Sequence, residues 1–421
     1  MTKPIRALLL AEMANPEWTS VPLIGWSLAF AISKRLNAHI VTQVRNRGAF
    51  VRAGLTEGRD FTVIDNERFA RPIYRLAEVL RGGAGKGWTT TMALSSITYY
   101  SFESAVWKQF HARIRSGEFN IVHRITPVSP TTPSPISTKL NRYGVPFILG
   151  PLNGGLPWPS SFRDRQHAEK EWLSYLRSAY KFLPSYYATR EKASAIICGS
   201  KYTLSEMPEW ARSKCSYIPE NGFEPSRFEY EPRGPRALPL HAAFVGRLVP
   251  YKGLDMLLEA IAPQLAGGQL ILHVIGDGPQ KAEIESLIHQ LGIGNAVLMH
   301  GWKAHDEIQP ILKRCDFSVL PSVREFGGGV VVESMALGVP PIVADYGGPA
   351  ELVTDGVGIR VPFADRSSLV SGLRDAISDL LQFPDKISKL SKAAREHAVS
   401  NFTWDAKASR IIEIYNAVLG Q

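Results

Sequence analysis

Cysteine is scarce in this chain of 421 residues, and its distribution excludes two common ways of stabilising a fold. The three cysteines, Cys198, Cys215 and Cys315, are odd in number and include no C-x-x-C pair. A disulfide framework or a structural zinc site would show cysteines in recognisable pairs. The sequence therefore indicates a protein of a reducing compartment that has neither.

Long apolar runs are also missing. The stretch Ile5–Ala11 is only seven residues long, Trp18–Ser33 is shorter than a membrane span and contains Pro22, and Tyr143–Phe162 holds four prolines and four glycines. A spanning helix needs about 20 apolar residues without such breaks. We therefore expect no targeting segment and no membrane span, and a cytoplasmic location.

The usual motifs of metal and nucleophile chemistry are absent as well. The sequence contains no D-x-D, no H-E-x-x-H and no cluster of His and Cys, which are the common signatures of metal sites. It also lacks the G-x-S-x-G turn of serine hydrolases. These absences predict a site without a metal ion or other cofactor.

The chain does contain two series of apolar runs that alternate with helical patterns, which is typical of parallel sheets wrapped by helices. A stretch with four prolines, Glu224–Pro239, separates the two series. We predict an α/β fold of two Rossmann-like domains, at 1–225 and 240–400, joined by a linker at 226–239. The predicted strands of the first domain are Ile5–Ala11, His39–Thr42, Ile121–Ile125, Pro146–Leu149 and Ala195–Cys198, and those of the second are His241–Val245, Leu270–Ile275, Ala296–His300, Phe317–Pro321 and Pro341–Ala344.

Positive charge is concentrated in the first half of the chain. Residues 1–236 carry 32 Lys and Arg against 19 Asp and Glu, whereas residues 237–421 carry 16 against 20. A basic domain can attract nucleic acid, anionic lipid or a phosphorylated substrate. Because no nucleic-acid-binding motif surrounds the arginines, we expect no nucleic acid partner. An anionic membrane surface and a solvated surface without a partner both stay open.

The most informative segment is the glycine loop between Glu325 and Glu333. Phe326 is followed by Gly327, Gly328 and Gly329, and a short apolar helix is predicted from Val330 to Leu337. Glycines let an anion approach the backbone amides, and the start of a helix favours negative charge. Two carboxylates beside a phosphate cradle fit the hydroxyls of a sugar and a ribose.

Other turns at strand ends add candidate residues. In GRLVPYKG, Arg247 and Lys252 lie near the start of the next helix and form a candidate diphosphate clamp. His123 ends a predicted strand, and a substrate contact or a satisfied core histidine are both open for it. The remaining candidates are Gly278, Trp302 and Lys303 in the second half, and Asn153, Gly154 and Gly155 in the first.

Taken together, these motifs resemble the retaining GT-B glycosyltransferases of family 4, over about residues 240–420 and more loosely before them. The resemblance implies that two domains face a cleft and that a helix at 401–421 returns to the first. It also implies that Arg247 and Lys252 hold the donor diphosphate, Glu325 the donor sugar and Glu333 the ribose. Amides around Gly328, Gly329 and Val330 would contact phosphate. His123 would be the catalytic histidine, although Ile125 and Thr126 replace the second His and the Glu of the family's element.

The expected function is metal-independent transfer, with retained configuration, of a hexose from a UDP- or GDP-sugar to a saccharide or lipid-linked acceptor. We expect this chemistry to serve cell-envelope or exopolysaccharide synthesis, and the basic first half of the chain suggests a peripheral enzyme on the inner face of the cytoplasmic membrane. Glu325, His123, Arg247 and Lys252 are the expected catalytic residues. A non-catalytic subunit that binds nucleotide sugars and a GT-B-type nucleotide-sugar epimerase are the alternatives.

Overall fold

The computed structural model describes residues 4–68, 72, 88–162, 165, 184–232, 234 and 237–420. The chain forms two compact units. The first comprises Met1–Gly155, Lys170–Glu220 and Trp404–Gln421, and the second comprises Leu156–Glu169 and Asn221–Thr403. The second unit thus starts at Asn221, a few residues before the predicted boundary at 225, and Phe223 and Phe228 are both buried.

The first unit is built on seven parallel strands in the order β3-β2-β1-β4-β5-β6-β7. These strands are β1 (Arg6–Ala11), β2 (Asn37–Gln43), β3 (Phe61–Ile64), β4 (Ile121–Thr126), β5 (Phe147–Leu152), β6 (Ala195–Cys198) and β7 (Cys215–Tyr217). The helices of this unit are α1 (Val21–Ser33), α2 (Arg47–Arg52), α3 (Trp88–Arg115), α4 (Ile136–Arg142), α5 (Pro184–Lys192), α6 (Lys201–Ser205) and α7 (Glu209–Arg212), together with a later helix from Trp404 to Leu419.

The second unit repeats this plan with six parallel strands in the order β10-β9-β8-β11-β12-β13. Its elements in chain order are β8 (Leu240–Val245), α8 (Leu254–Ala266), β9 (Leu270–Ile275), α9 (Lys281–Gln290), β10 (Val297–Gly301), α10 (His305–Arg314), β11 (Phe317–Leu320), α11 (Gly329–Ala336), β12 (Pro341–Ala344), α12 (Gly347–Leu352), β13 (Ile359–Val361), α13 (Arg366–Gln382) and α14 (Asp385–Phe402). The helix Trp404–Leu419 follows as α15.

Both sheets are apolar on both faces because helices cover both. Along β1, Ala7 and Leu9 pack into one core cluster, whereas Leu8 packs into another. In β8, Phe244 packs into one core cluster and the neighbouring Ala243 packs into another. Alternate residues of a strand point to opposite faces, so uninterrupted apolar runs are expected where both faces are buried.

The ten strands expected from the sequence are all present, and the α/β fold of two Rossmann-like domains is confirmed. Three strands were missed: Phe61–Ile64, Cys215–Tyr217 and Ile359–Val361 lie at or beside a sheet edge and have only three or four residues. The sequence over 160–192 also favours helix, and the elements described there are a 3₁₀ turn at Ser160–Phe162 and α5. The residues between them lie largely outside the described ranges.

The order of the strands indicates where a ligand is expected in each sheet. In the second sheet the direction of winding reverses between β8 and β11, which are hydrogen-bonded neighbours. Ligands of open α/β sheets bind outside the carboxyl ends of the strands at such a reversal. The turns after these two strands contain Arg247, Lys252, Glu325 and the glycine loop.

Helix α15 completes the core of the first unit. Trp404, Ile411 and Tyr415 are buried in the cluster that also holds α1 and one face of the sheet. The Tyr415 hydroxyl lies 2.6 Å from Nδ1 of the buried His123, and His123 Nε2 lies 2.6 Å from the carbonyl oxygen of Gly150. A carbonyl only accepts, so Nε2 carries the proton and Nδ1 accepts from tyrosine.

We predict that Tyr415→Phe lowers the free energy of unfolding by about 1–3 kcal/mol, because it leaves the buried Nδ1 without a donor. Chemical denaturation measures this change. Tyr143→Phe removes the hydroxyl of an exposed tyrosine and is the control, expected to change stability by less than about 0.5 kcal/mol. Equal effects of the two substitutions would contradict a stabilising role for the His123 contact.

Candidate functional site

The turn after β8 brings Lys252 to the carboxyl edge of the second sheet. Pro250–Lys252 form a 3₁₀ turn, and Gly253, in the left-handed region with φ 75°, starts α8. A Cβ on Gly253 would lie 2.6 Å from the carbonyl oxygen of Pro321, so this turn touches the turn after β11 through backbone alone. Arg247 is exposed in the same turn, and no ion pair to it is found among the described residues.

Lys252 and Glu325 form an ion pair, Nζ to Oε2, across these two turns. Both side chains are largely buried, with exposures of 14% and 22%. Burial alone would lower the pKa of Lys252, but the Glu325 carboxylate and Tyr251 raise it overall. The ammonium is therefore charged at neutral pH, and it lies directly beside the carboxylate that was predicted to bind sugar.

The glycine loop ends in a helix start that is open to an anion. Gly328, with φ 71°, is the N-cap of α11. Val331 N donates to the Gly328 carbonyl oxygen at 3.0 Å. Across the described residues, no acceptor is found for the amides of Gly329 and Val330. Two free amides at the positive end of a helix suit a phosphate oxygen.

Helix α12 fixes this loop from the other side. Gly348 N donates to the carbonyl oxygen of Glu325 at 3.0 Å. A Cβ on Gly348 would lie 2.3 Å from the Phe326 carbonyl oxygen, and one on Gly347 would lie 2.5 Å from the Glu325 carbonyl oxygen. The YGGPAE turn at Tyr346–Glu351 therefore supports the glycine loop through its backbone.

Glu333 lies on α11 beside two residues that the sequence did not single out. His305 Nε2, on α10, is 2.8 Å from Glu333 Oε1, and Arg227 is near enough to act electrostatically on both. Burial raises the pKa of Glu333 to about 7, opposed by Arg227. Burial and Arg227 also lower the pKa of His305. A carboxyl group with such a shifted pKa in a ligand-binding region is typical of a functional residue.

The other predicted donor residues lie in neighbouring turns. Gly278 packs on the turn after β8, where a Cβ would lie 2.4 Å from the Leu248 carbonyl oxygen, so its demonstrated role is close backbone packing. Trp302 is 73% exposed after β10. Lys303 Nζ lies 3.6 Å from Glu307. No contact given by the structure assigns a nucleobase to these residues, and their binding roles stay predictions.

In the first unit, the predicted residues divide into two groups. His123 is fully buried, and burial, assisted by Arg124, lowers its pKa to about 4. Its geometry is that of a satisfied core histidine, which was the alternative to a substrate contact. Asn153 Nδ2 donates to Glu220 at 2.8 Å, and Gly154 and Gly155 have φ of 148° and 81° in the turn after β5. An acceptor role for this turn stays a prediction.

Two other kinds of site have no counterpart within the described ranges. No cluster of three or more His, Cys, Asp or Glu is arranged there to hold a metal ion. No helix in the same part of the chain is both long and apolar enough to span a bilayer.

Comparisons with solved structures define the class of fold. Anabaena HepE, solved with UDP, aligns over 98% of this chain and 100% of its own, with a TM-score of 0.65 and 18% identity. Sucrose-phosphate synthase from Thermosynechococcus elongatus aligns over 99% of both chains, with a TM-score of 0.62 and 19% identity. The architecture is the GT-B fold of two Rossmann-like domains.

Sequence comparison finds similarity mainly in the second unit. Residues 234–397 match the model of the family of glycosyl transferases group 1. Glycogen synthase of Mycobacterium tuberculosis is 28% identical over 265 residues, which are 62% of this chain and 59% of that protein. The chain thus matches about three fifths of the length of this relative.

We predict that Gly348→Ala destabilises the second unit by about 1–3 kcal/mol, because the new Cβ forces the backbone of the glycine loop to move. Chemical denaturation measures the loss. Gly294→Ala is the control, because its Cβ would meet nothing nearer than 4.0 Å. A loss of the same size in both variants would show that the loop contact is not the cause.

We also predict that Glu333→Gln makes the protein more stable at pH 8 than the wild type, by at most about 3 kcal/mol. A folded-state pKa of about 7, above the ordinary 4.5, gives stability that is complete below pH 4.5 and lost as the pH rises through 7. The variant has no ionisable group at this position and does not lose this stability. The free energies of unfolding of the two proteins should therefore become equal near pH 4.5. Thermal unfolding across pH 4.5–8 tests it, with the exposed Glu396→Gln as control. A less stable variant at pH 8 would contradict the burial argument.

Proposed function

We propose that this protein is a retaining, metal-independent glycosyltransferase that moves a hexose from a UDP- or GDP-sugar to a saccharide or lipid-linked acceptor. One observation carries the proposal. Lys252, Glu325 and the open start of α11 lie together at the carboxyl edge where the second sheet reverses. A cation, a carboxylate and free amides are the groups that a sugar diphosphate requires.

The donor is assigned from both chemistry and similarity. The diphosphate would contact Lys252, Arg247 and the amides of Gly329 and Val330. HepE has been solved with UDP and also with UDP-glucose, which supports a nucleotide sugar as the donor for this chain. The sugar hydroxyls would bind Glu325, and the ribose hydroxyls would bind Glu333.

The mechanism follows from where the charge develops. As the glycosidic bond breaks, negative charge accumulates on the departing diphosphate. Lys252, Arg247 and the positive end of α11 would stabilise that charge, and such preorganised charge is usually the largest catalytic term. No side-chain base is assigned, because His123 is buried with both ring nitrogens hydrogen bonded. The leaving phosphate would therefore help to remove the proton of the acceptor hydroxyl.

The Lys252–Glu325 ion pair has a consequence for donor binding. Without a ligand, the ammonium is neutralised by the carboxylate, so an incoming diphosphate competes with Glu325 for Lys252. The sugar then offers hydroxyl donors to the carboxylate in exchange. Binding of the sugar to Glu325 would thus make Lys252 available to the diphosphate.

We propose that the acceptor binds the first unit and that this basic unit contacts an anionic membrane surface at the cytoplasmic face, in envelope or exopolysaccharide synthesis. The support is the excess of Lys and Arg before residue 237. Co-sedimentation with vesicles tests it. Binding to phosphatidylglycerol vesicles that disappears in high salt is expected, and no binding at low salt would refute it.

The primary experiment measures thermal stabilisation and slow donor hydrolysis with UDP-, GDP- and ADP-sugars, without acceptor. Stabilisation by one nucleotide series together with hydrolysis is expected of a transferase. Binding without any turnover would support the non-catalytic subunit instead. Release of a rearranged sugar in the absence of acceptor would support the epimerase.

For Glu325→Gln we predict that the affinity for the free nucleoside diphosphate stays equal or rises, because Lys252 loses its competing carboxylate. Transfer should fall by about a hundredfold or more, since the sugar loses a charged hydrogen-bond acceptor. Calorimetry and a transfer assay measure the two quantities. Glu396→Gln, in an exposed Lys–Glu pair of the same unit, should change neither. Nucleotide affinity that falls as steeply as transfer would contradict this role.

A further inference from the structure

His305 and Glu333 form a contact that the donor proposal has not yet used. His305 is the first residue of α10, and its Nε2 lies 2.8 Å from Oε1 of Glu333 on α11. The ring of Phe228 stands edge-on to the imidazole, with centroids 6.3 Å apart and planes at 88°. Packing and a hydrogen bond therefore fix the orientation of the imidazole.

The protons of this pair can be assigned from its surroundings. Above its pKa of about 7 Glu333 is ionised, and an ionised carboxylate only accepts, so Nε2 then carries the proton and donates to Oε1. The other ring nitrogen, Nδ1, is buried and has no hydrogen-bond partner among the described residues. A bare lone pair at Nδ1 suits the neutral imidazole, which the nearby Arg227 also favours.

The contact leaves half of the carboxylate available. The described residues provide no hydrogen-bond donor to Oε2 of Glu333, and the side chain is 22% exposed. With Oε1 held by His305, the carboxylate is kept from rotating freely about its last bond. Side-chain freedom that is already removed before a ligand arrives need not be lost on binding.

We propose that His305 is a positioning residue that holds Glu333 so that Oε2 accepts a hydrogen bond from a ribose hydroxyl. The inference rests on the proposed function, in which Glu333 faces the ribose of a nucleotide sugar. It adds that discrimination between ribose and deoxyribose depends on a histidine that does not itself touch the nucleotide.

The test compares a nucleoside diphosphate with its 2′-deoxy counterpart on the intact protein. Among UDP, GDP and ADP, the one that stabilises the wild type most is titrated by calorimetry against its deoxy analogue. We expect the wild type to prefer the ribonucleotide by about tenfold. In His305→Ala this preference should shrink to about twofold or less, while the affinity for inorganic pyrophosphate stays unchanged.

Two further variants separate positioning from folding. In His305→Gln the side-chain amide nitrogen takes the place of Nε2 and can still donate to Glu333, so most of the preference should return. In His305→Asn the amide corresponds to the position of Nδ1 and cannot reach the carboxylate, so the preference should stay lost. A merely structural histidine would lower ribonucleotide and deoxynucleotide affinity equally and would not distinguish Gln from Asn.

The outcomes separate this inference from the proposed function. If the wild type prefers ribose and His305→Ala keeps that preference, the positioning role is wrong and the donor site stands. If the wild type binds a nucleotide but ignores the 2′ hydroxyl, the ribose role of Glu333 is wrong and the inference falls with it. If the wild type binds none of the three nucleotides, the proposed function itself is refuted.

Discussion

The second unit depends on backbone-to-backbone contact between the turns at the carboxyl edge of its sheet. Gly276 would place a Cβ 1.9 Å from the Gly246 carbonyl oxygen, Gly253 meets Pro321, and Gly348 meets Phe326 at comparable distances. No side chain fits in these contacts. The turns after four neighbouring strands therefore support one another directly, and they hold Lys252 and Glu325 within reach of each other.

This construction places charge where burial makes it costly. Glu333 is largely buried with a pKa raised to about 7, and Lys252 is matched to Glu325. Burying a carboxylate without full compensation destabilises a fold, so such groups are concentrated where a ligand repays the cost. Free amides at the start of α11 belong to the same pattern. These groups cost stability at the carboxyl edge of the sheet, and in the proposed function they are the groups that contact the donor.

Local patterns in the sequence were sufficient for much of the fold. Apolar runs identified ten strands, most of them buried on both faces, whereas three strands of three or four residues at the sheet edges, such as Phe61–Ile64, carry too little pattern to be recognised. Glycine spacing identified the loop before α11, because the requirement for φ above zero and for close approach is local. The domain boundaries were harder to place, because Phe223 and Phe228 pack into the second unit through contacts that no local pattern reveals.

Local patterns also marked some residues of the candidate site and missed others. Glu325, Glu333 and Lys252 stand beside glycines, so their motifs mark them. His305 is 28 positions from Glu333 and belongs to no motif, so only the folded chain brings the two together. The environment of His123 likewise depends on Tyr415, 292 positions later. The sequence alone therefore did not decide whether His123 is a core histidine or contacts the substrate.

Helix α15 also determines when the first unit can finish folding. Its residues Trp404, Ile411 and Tyr415 close the core around α1, yet they are synthesised only after the whole of the second unit. Domains usually fold in the order in which the ribosome releases them. Here the first unit to emerge is the last to be completed, and it waits with an open apolar face while the second unit is being made.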